Sequence, residues 1–338
     1  MKNNRIKSSL YAAAIADALG APTELRSVAQ IKEKFGGLVT TYQQIPDDVF
    51  ARNKPLGTVT DDFSLSYYLI REINENDGIF NEDIAQKHVI TWSEDPIYYE
   101  NFAGPTTRLA VENLRSGLPT DVDPFGLVNY NSKATNGIAM KVAALGLMAK
   151  SQKEAIDYAI TLAKPTHYNS TAMSGAAAIA ASVYEAKNTT STLESIIEAG
   201  IIGADTGSKY GIENDHISVA PLISHRIREA VNVGGSANSF EDLLSKIENY
   251  VGTNIQVTES VPAVYAILAY TKLRLPDTVF AGVNCGGDTD TIATMAAAIA
   301  GAFQGTLEGI EHLVDVMLES NETLKIEKEI EIFANSMK

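Results

Sequence analysis

The chain is poor in cysteine, in basic residues and in long apolar runs. Its 338 residues include one cysteine, Cys285, so an intrachain disulfide and a thiolate metal cluster are both excluded. Lys and Arg total 27 against 42 Asp and Glu, a formal net charge of −15. Nucleic acid and acidic lipid surfaces both call for a basic footprint, so neither is an expected partner. The apolar runs 172–183 and 291–303 are too short to span a bilayer. The opening MKNNRIKSSLYAAAIADALGAPTEL places basic residues before an apolar segment, as a secretory leader does. Asp17 interrupts that segment, however, and helical spacing begins at Ile6. The expectation is a soluble cytoplasmic protein with no obligate partner.

What is present is alanine and helical periodicity. Hydrophobic residues at 45% and charged residues at 20% are globular proportions, and the length suffices for one large core or two ordinary domains. Ile6, Leu10, Ala13 and Asp17 follow helical spacing, and Gly20 with Pro22 supplies a stop. Further helical segments are expected near 61–75, 81–93, 106–116, 136–149, 152–163, 170–186, 192–202, 216–230, 239–248, 259–272, 288–304, 306–319 and 323–336. The one strand signal is GLVTTYQQI at 37–45, and long loops are expected at 117–137 and 203–211. No linker, charge block or internal repeat divides the chain. The expectation is a single all-α domain over residues 1–338, a compact orthogonal helical bundle.

Two acidic stretches stand before helical segments. In GGDTDT (286–291), Asp288 and Asp290 are two residues apart and would not face one another on a continuous helix. They converge only on a turn, and Gly286-Gly287 permits one, with Thr291 beginning the helix behind it. In VTDDF (59–63), Thr60, Asp61 and Asp62 repeat the chemistry. Helix capping and dipole complementation explain either stretch alone. Together they offer four carboxylates and two hydroxyls with no nearby histidine or thiol, an all-oxygen set suited to hard divalent cations. Two such ions would balance four carboxylates if the stretches meet. Magnesium is the expected ion, with manganese and calcium as alternatives.

These motifs, with ADALGAPTE (16–24), GPTTR (104–108), NGIAMKVAALGL (136–147), TH (166–167) and VNCGGDTDTIATMAAAIAGA (283–302), occur in an order that resembles the ADP-ribosylglycohydrolase family. That family includes the dinitrogenase-reductase-activating glycohydrolases and the ADP-ribosyl-acceptor hydrolases. The resemblance implies an all-α fold with two Mg2+ ions at the base of a cleft. Its metal ligands fall on Thr60, Asp61, Asp62, Asp288, Asp290 and Thr291, and its catalytic glutamate on Glu24. Substrate contacts fall on Gly104, Asn136, Gly137, Met140 and His167. The implied reaction is hydrolysis of a ribosyl C1″ bond in ADP-ribosylated protein or small-molecule substrates.

Read without the resemblance, Glu24 is an exposed loop acid, Met140 a core residue and His167 a hydrogen-bonded structural histidine. Asp17 shares the helical face of Leu10 and Ala13, so burial and a structural role are expected, with direct participation the weaker option. The chain departs from the family at Ala16, at Phe63, at Phe102-Ala103 before Gly104, and at Lys141, where many relatives have arginine. These departures leave the substrate open. Alternatives are a hydrolase of small N-ribosyl metabolites such as nucleosides, a catalytically silent ADP-ribose-binding protein and, on chemistry alone, a two-metal phosphatase.

Overall fold

A computed structural model describes residues 2–119 and 130–337. Its helices are α1 (Lys2–Gly20), α2 (Val28–Phe35), α3 (Asp61–Glu75), α4 (Glu82–Ser93), α5 (Pro96–Phe102), α6 (Pro105–Ser116), α7 (Ala143–Met148), α8 (Gln152–Ala163), α9 (Ser170–Ala186), α10 (Leu193–Glu213), α11 (Ile223–Gly235), α12 (Phe240–Lys246), α13 (Val257–Thr271), α14 (Leu275–Asn284), α15 (Thr289–Gln304), α16 (Val314–Ser320) and α17 (Ile326–Ser336). Among the described residues no strand forms, and the fold is all-α. No described helix is long and apolar enough to cross a membrane.

Local chemistry sets the boundaries. Asn81, Ser151, Asn169, Thr192 and Ser239 cap α4, α8, α9, α10 and α12 through side-chain oxygens that accept backbone N–H groups. Ser27 and Gln30 form a reciprocal capping box on α2. Gly305 ends α15 in the left-handed conformation.

The core is built on alanine-rich helices. α1 packs along α15, and α9 packs along α10. Small side chains let these axes approach closely, so the buried faces of α9 and α15 are nearly continuous alanine. The expected loop at 203–211 is instead the second half of α10. Gly203, Gly207 and Gly211 lie on its α9-facing side. A β-carbon there would come within 2.4 Å of Ala177 O, Met173 O and Ser170 Cα respectively. The glycines read as loop residues are the seam of a helix pair.

Other expectations also shift. Residues 37–45 form no strand; Val39 is instead pinned by Asn284, whose side chain accepts from Val39 N and donates to Val39 O. The expected helix 136–149 is a 3-10 turn over Asn136–Lys141 followed by α7. The expected 216–230 helix starts later, at Ile223. Helices α2, α5 and α14 fill stretches where none was expected. Of the expected loop at 117–137, residues 120–129 lie outside the described residues, and Asn131–Lys133 forms a 3-10 turn.

The result that matters for function is where helices begin. The N-terminal ends of α3, α6 and α15, the segment after α1 that carries Glu24 and the Asn136–Lys141 turn all border one cleft.

Candidate functional site

Thr60 is the N-cap of α3, with its side chain accepting from Asp62 N at 3.2 Å. Asp61 and Asp62 therefore occupy the first helical turn. Asp288 stands at the N-cap of α15 but makes no capping bond, and Asp290 and Thr291 follow in that first turn. The helix thus begins at Thr289, two residues earlier than the turn at the glycine pair suggested. Gly286 (φ 81°) and Gly287 (φ 71°) supply the left-handed turn that lets Asp288 and Asp290 share a direction.

Asp17 ties α1 to the start of α3. On the last turn of α1 it is fully buried, accepting from Thr60 N at 2.9 Å, Thr60 Oγ1 at 2.8 Å and Phe63 N at 2.9 Å. Three donors satisfy a carboxylate whose burial would otherwise be prohibitive. Gly20, at the end of the same helix, lets α1 touch the start of α15: a β-carbon there would sit 2.5 Å from Asp290 Cα.

Beyond α1 the chain is clamped beside the glycine turn. Leu25 N donates to Gly287 O at 2.9 Å and Gly287 N to Arg26 O at 2.8 Å, an isolated antiparallel bridge. Arg26 also donates to the carbonyl of Glu24 and pairs with Asp48. Glu24 is therefore held in the cleft wall and is only 6% exposed, not the exposed loop acid its flanking Gly20 and Pro22 suggested. A second bridge, Thr135 with Gln256, holds the segment carrying Asn136.

The cleft encloses ≈ 290 Å³. Of the twelve residues singled out from sequence, Glu24, Asp61, Asp62, Gly104, Asn136, Gly137, Met140, His167, Asp288, Asp290 and Thr291 line it. Thr60 lies just beneath, bonded to Asp17. Asn136 Nδ2 donates to Asp288 Oδ2 at 2.5 Å. His167 is buried with its ring nitrogens 2.8 Å from Thr166 Oγ1 and 3.1 Å from Thr135 Oγ1, and a β-carbon on Gly137 would meet its ring at 3.0 Å. Sequence reading missed Phe50, Asn101, the side chains of Thr106 and Thr107, Thr135 and Ile255, which also line the cleft. Thr106 and Thr107 lay within the GPTTR motif and could have been found there; Phe50 and Ile255 carry no pattern. Phe63 does not reshape the cleft: it is 1% exposed and belongs to the hydrophobic core.

The electrostatics are those of crowded acids. Burial first, and then Asp288, Asp61 and Asp17, raise the Glu24 carboxyl to about 9, with Arg26 opposing. Burial, offset by bonds from Thr60 and Phe63, holds Asp17 at about 7. Burial and Asp17 raise Asp61 to about 7 as well. Asp62 and Asp290 are pushed well above the usual carboxylate range by burial and by their acidic neighbours. Burial also raises Asp288, against bonds from Asn136, Asp290 and Thr291. His167 is held well below the usual imidazole range by burial, so its ring is neutral.

The donors fit divalent cations. Asp17, Asp62 and Asp290 offer oxygens within 4.8 Å of one another, as do Glu24, Asp288 and Asp290. Asp290 is common to both groups. Asp62 Oδ1 is buried without a hydrogen-bond partner, an orphan that a cation would satisfy. All these donors are oxygens, the preference of hard ions.

An all-helical fold whose helix N-termini converge their carboxylates on one cleft has clear relatives. The family described as ADP-ribosylglycohydrolase matches residues 1–331, and the chain belongs to that family. It is 28% identical to ADP-ribosylhydrolase ARH3 of Xenopus tropicalis, over 89% of this chain and 87% of that one. It is 27% identical to the uncharacterized protein YegU of Escherichia coli K12, over 90% and 89% of the two chains. A solved structure described as an ADP-ribosylglycohydrolase-related protein complex superposes over 100% of this chain and 99% of that one, with a TM-score of 0.67 at 20% identity, which supports the fold.

Proposed function

We propose that the protein hydrolyses the ribosyl C1″ bond of ADP-ribosylated protein or small-molecule substrates, with two divalent cations, Mg2+ by preference and Mn2+ as a substitute. The observation that carries this reading is the meeting of Glu24, Asp61, Asp62, Asp288, Asp290 and Thr291 in one cleft although they span most of the chain. Thr60, Asp61, Asp62, Asp288, Asp290 and Thr291 would hold the cations; the carboxylates that approach one another there are Asp17, Asp62 and Asp290 in one group and Glu24, Asp288 and Asp290 in the other. Ions bound there would polarise ribose hydroxyls and supply Lewis acidity.

The chain's own groups do the rest. Gly104, Asn136, Gly137, Met140 and His167 form the walls against which a ribose is oriented. Water adds to C1″, the bond to the acceptor breaks, and the acceptor leaves with a proton. Glu24 is the group placed to move that proton. With its carboxyl at about 9 it holds hydrogen at neutral pH until positive charge arrives beside it, so one residue can serve as acid or base according to what occupies the cleft.

The test is a panel of ADP-ribosyl-arginine, ADP-ribosyl-serine and simple ribosides, read by mass spectrometry with and without Mg2+. Asp288→Asn is expected to lose metal affinity, and Glu24→Gln to keep metal and lose rate. Absence of metal-dependent sugar release from every member of the panel would overturn the reading.

A second reading, hydrolysis of small N-ribosyl metabolites such as nucleosides, is favoured by one observation. No Lys or Arg is among the described residues lining the cleft, so a diphosphate finds no side-chain cation there. Against this, α6 opens into the cleft at Gly104 with no side-chain cap, leaving helix N-terminal N–H groups for an anion. Free ribose as product supports the second reading, ADP-ribose the first.

A further inference from the structure

Lys141 ends the 3-10 turn whose other residues Asn136, Gly137 and Met140 line the cleft, yet it is not itself in the lining. It is 0% exposed, and its Nζ makes no hydrogen bond. It therefore cannot meet an anionic group of a substrate in the cleft, the role an arginine at this position would suggest. An ammonium sealed from water without a partner is costly and is removed by ordinary substitution, so its position requires an explanation. Burial lowers its ammonium to about 8, against the attraction of Asp61 and Asp62, which keeps it charged at pH 7. Its charge also acts on His88, buried with both ring nitrogens unpartnered, and on His167. Burial drives both imidazoles low, His88 to about 3, and the Lys141 charge drives them lower still, so they are neutral and do not compensate it.

We propose that Lys141 is a built-in counter-cation of the acidic cleft, acting on Asp61 and Asp62 from outside the cleft and lowering the affinity of the site for divalent ions. This rests on the two-cation reading above. Five carboxylates line or underlie the cleft on the α1, α3 and α15 side, and Glu24 faces them. Arg26, a second cation acting on this group, serves Glu24 and is paired with Asp48. Among the described residues Lys141 has no such partner, so no bonded neighbour neutralises its charge. A positive charge there relieves carboxylate repulsion in the metal-free protein. The same charge repels any dication the pair holds, and in a water-excluded interior that repulsion is weakly screened. The site would bind its ions reversibly where a bare six-carboxylate cup would retain them.

The test is calorimetric titration of Mg2+ and Mn2+ into metal-free wild-type protein, Lys141→Met and Lys141→Arg. Lys141→Met is expected to bind up to about tenfold more tightly at pH 7, the most that an ammonium titrating at about 8 can withhold, while Lys141→Arg stays near wild type or binds more weakly. Lys141→Gln, which keeps a polar end in the same space, replaces the Met variant if that one fails to fold and is expected to shift affinity in the same direction. Equal or weaker affinity in the neutral variants overturns the inference and leaves the two-cation reading standing. Wild-type protein that takes up neither ion overturns both.

Discussion

Asn136 donates its side-chain amide to Asp288 Oδ2 at 2.5 Å, joining residues 152 positions apart in the chain. Both line the cleft, so this contact ties the Asn136–Lys141 turn to the acidic start of α15. A hydrogen bond to a charged group is worth about 1.5–3 kcal/mol. Asn136→Ala is therefore expected to weaken Mg2+ binding roughly tenfold or more; calorimetry that finds wild-type affinity in this variant would show the contact is idle.

Asp17 carries a different load. Its three acceptor contacts with Thr60 and Phe63 fix the start of α3 against the end of α1. Asp17→Ala leaves the backbone N–H groups of Thr60 and Phe63 buried without partners, and each such group costs about 1–3 kcal/mol. A loss of at least about 3 kcal/mol in urea unfolding is the expected outcome. A loss below 1 kcal/mol would mean that water takes over Asp17's role.

The acidic cluster makes the metal-free protein sensitive to alkali. Asp17 and Asp61 titrate at about 7 and Glu24 at about 9 in the folded chain, all above their ordinary range near 4. Between those limits the folded state holds more protons than the unfolded one. The stability these groups contribute is complete below about pH 4 and is lost as pH rises through the folded values. Melting temperature without metal should fall from pH 5 to pH 9, and saturating Mg2+ should flatten that fall, because cations take the place of the protons. A metal-free profile that is level or rises across this range would refute the assignment.

Two glycines separate packing from access. Gly20→Ala places a β-carbon 2.5 Å from Asp290 Cα and 2.7 Å from its nitrogen, atoms that cannot move alone. It should cost about 3 kcal/mol and displace Asp290. Gly104 has nothing within 4 Å of the equivalent position and an ordinary extended backbone. Gly104→Ala should cost less than about 1 kcal/mol while raising KM, since the added methyl projects at the mouth of α6. Chemical denaturation and steady-state kinetics on the two variants give the comparison.

The acidic motifs were legible in the sequence because their chemistry is local: a capping threonine, paired aspartates and a glycine pair that can turn. Helices at 61–75, 152–163 and 170–186 were legible for the same reason, each having a capping residue and an uninterrupted apolar period. The α10 glycines were misread because their purpose lies on α9, which periodicity within one segment cannot reveal. Asp17 could be read as buried, but its bonds to Thr60 and Phe63 depend on a packing partner 43 residues away in sequence. The position of Lys141 was illegible in a similar way. A lysine six residues after Thr135 reads as solvent-facing or substrate-facing, and only the packed structure shows it enclosed. Phe50 and Ile255 reach the cleft through loops whose paths are set by contacts elsewhere, as the Arg26–Asp48 pair does for the loop carrying Phe50.

The pairing of α1 with α15 also bears on biogenesis. Asp17, Glu24, Asp61 and Asp62 are synthesised well before Asp288, Asp290 and Thr291. Until α15 has been made and packs along α1, the growing protein holds only the earlier part of its acidic cup. The cup is therefore closed late, by the docking of one helix against another made long before it.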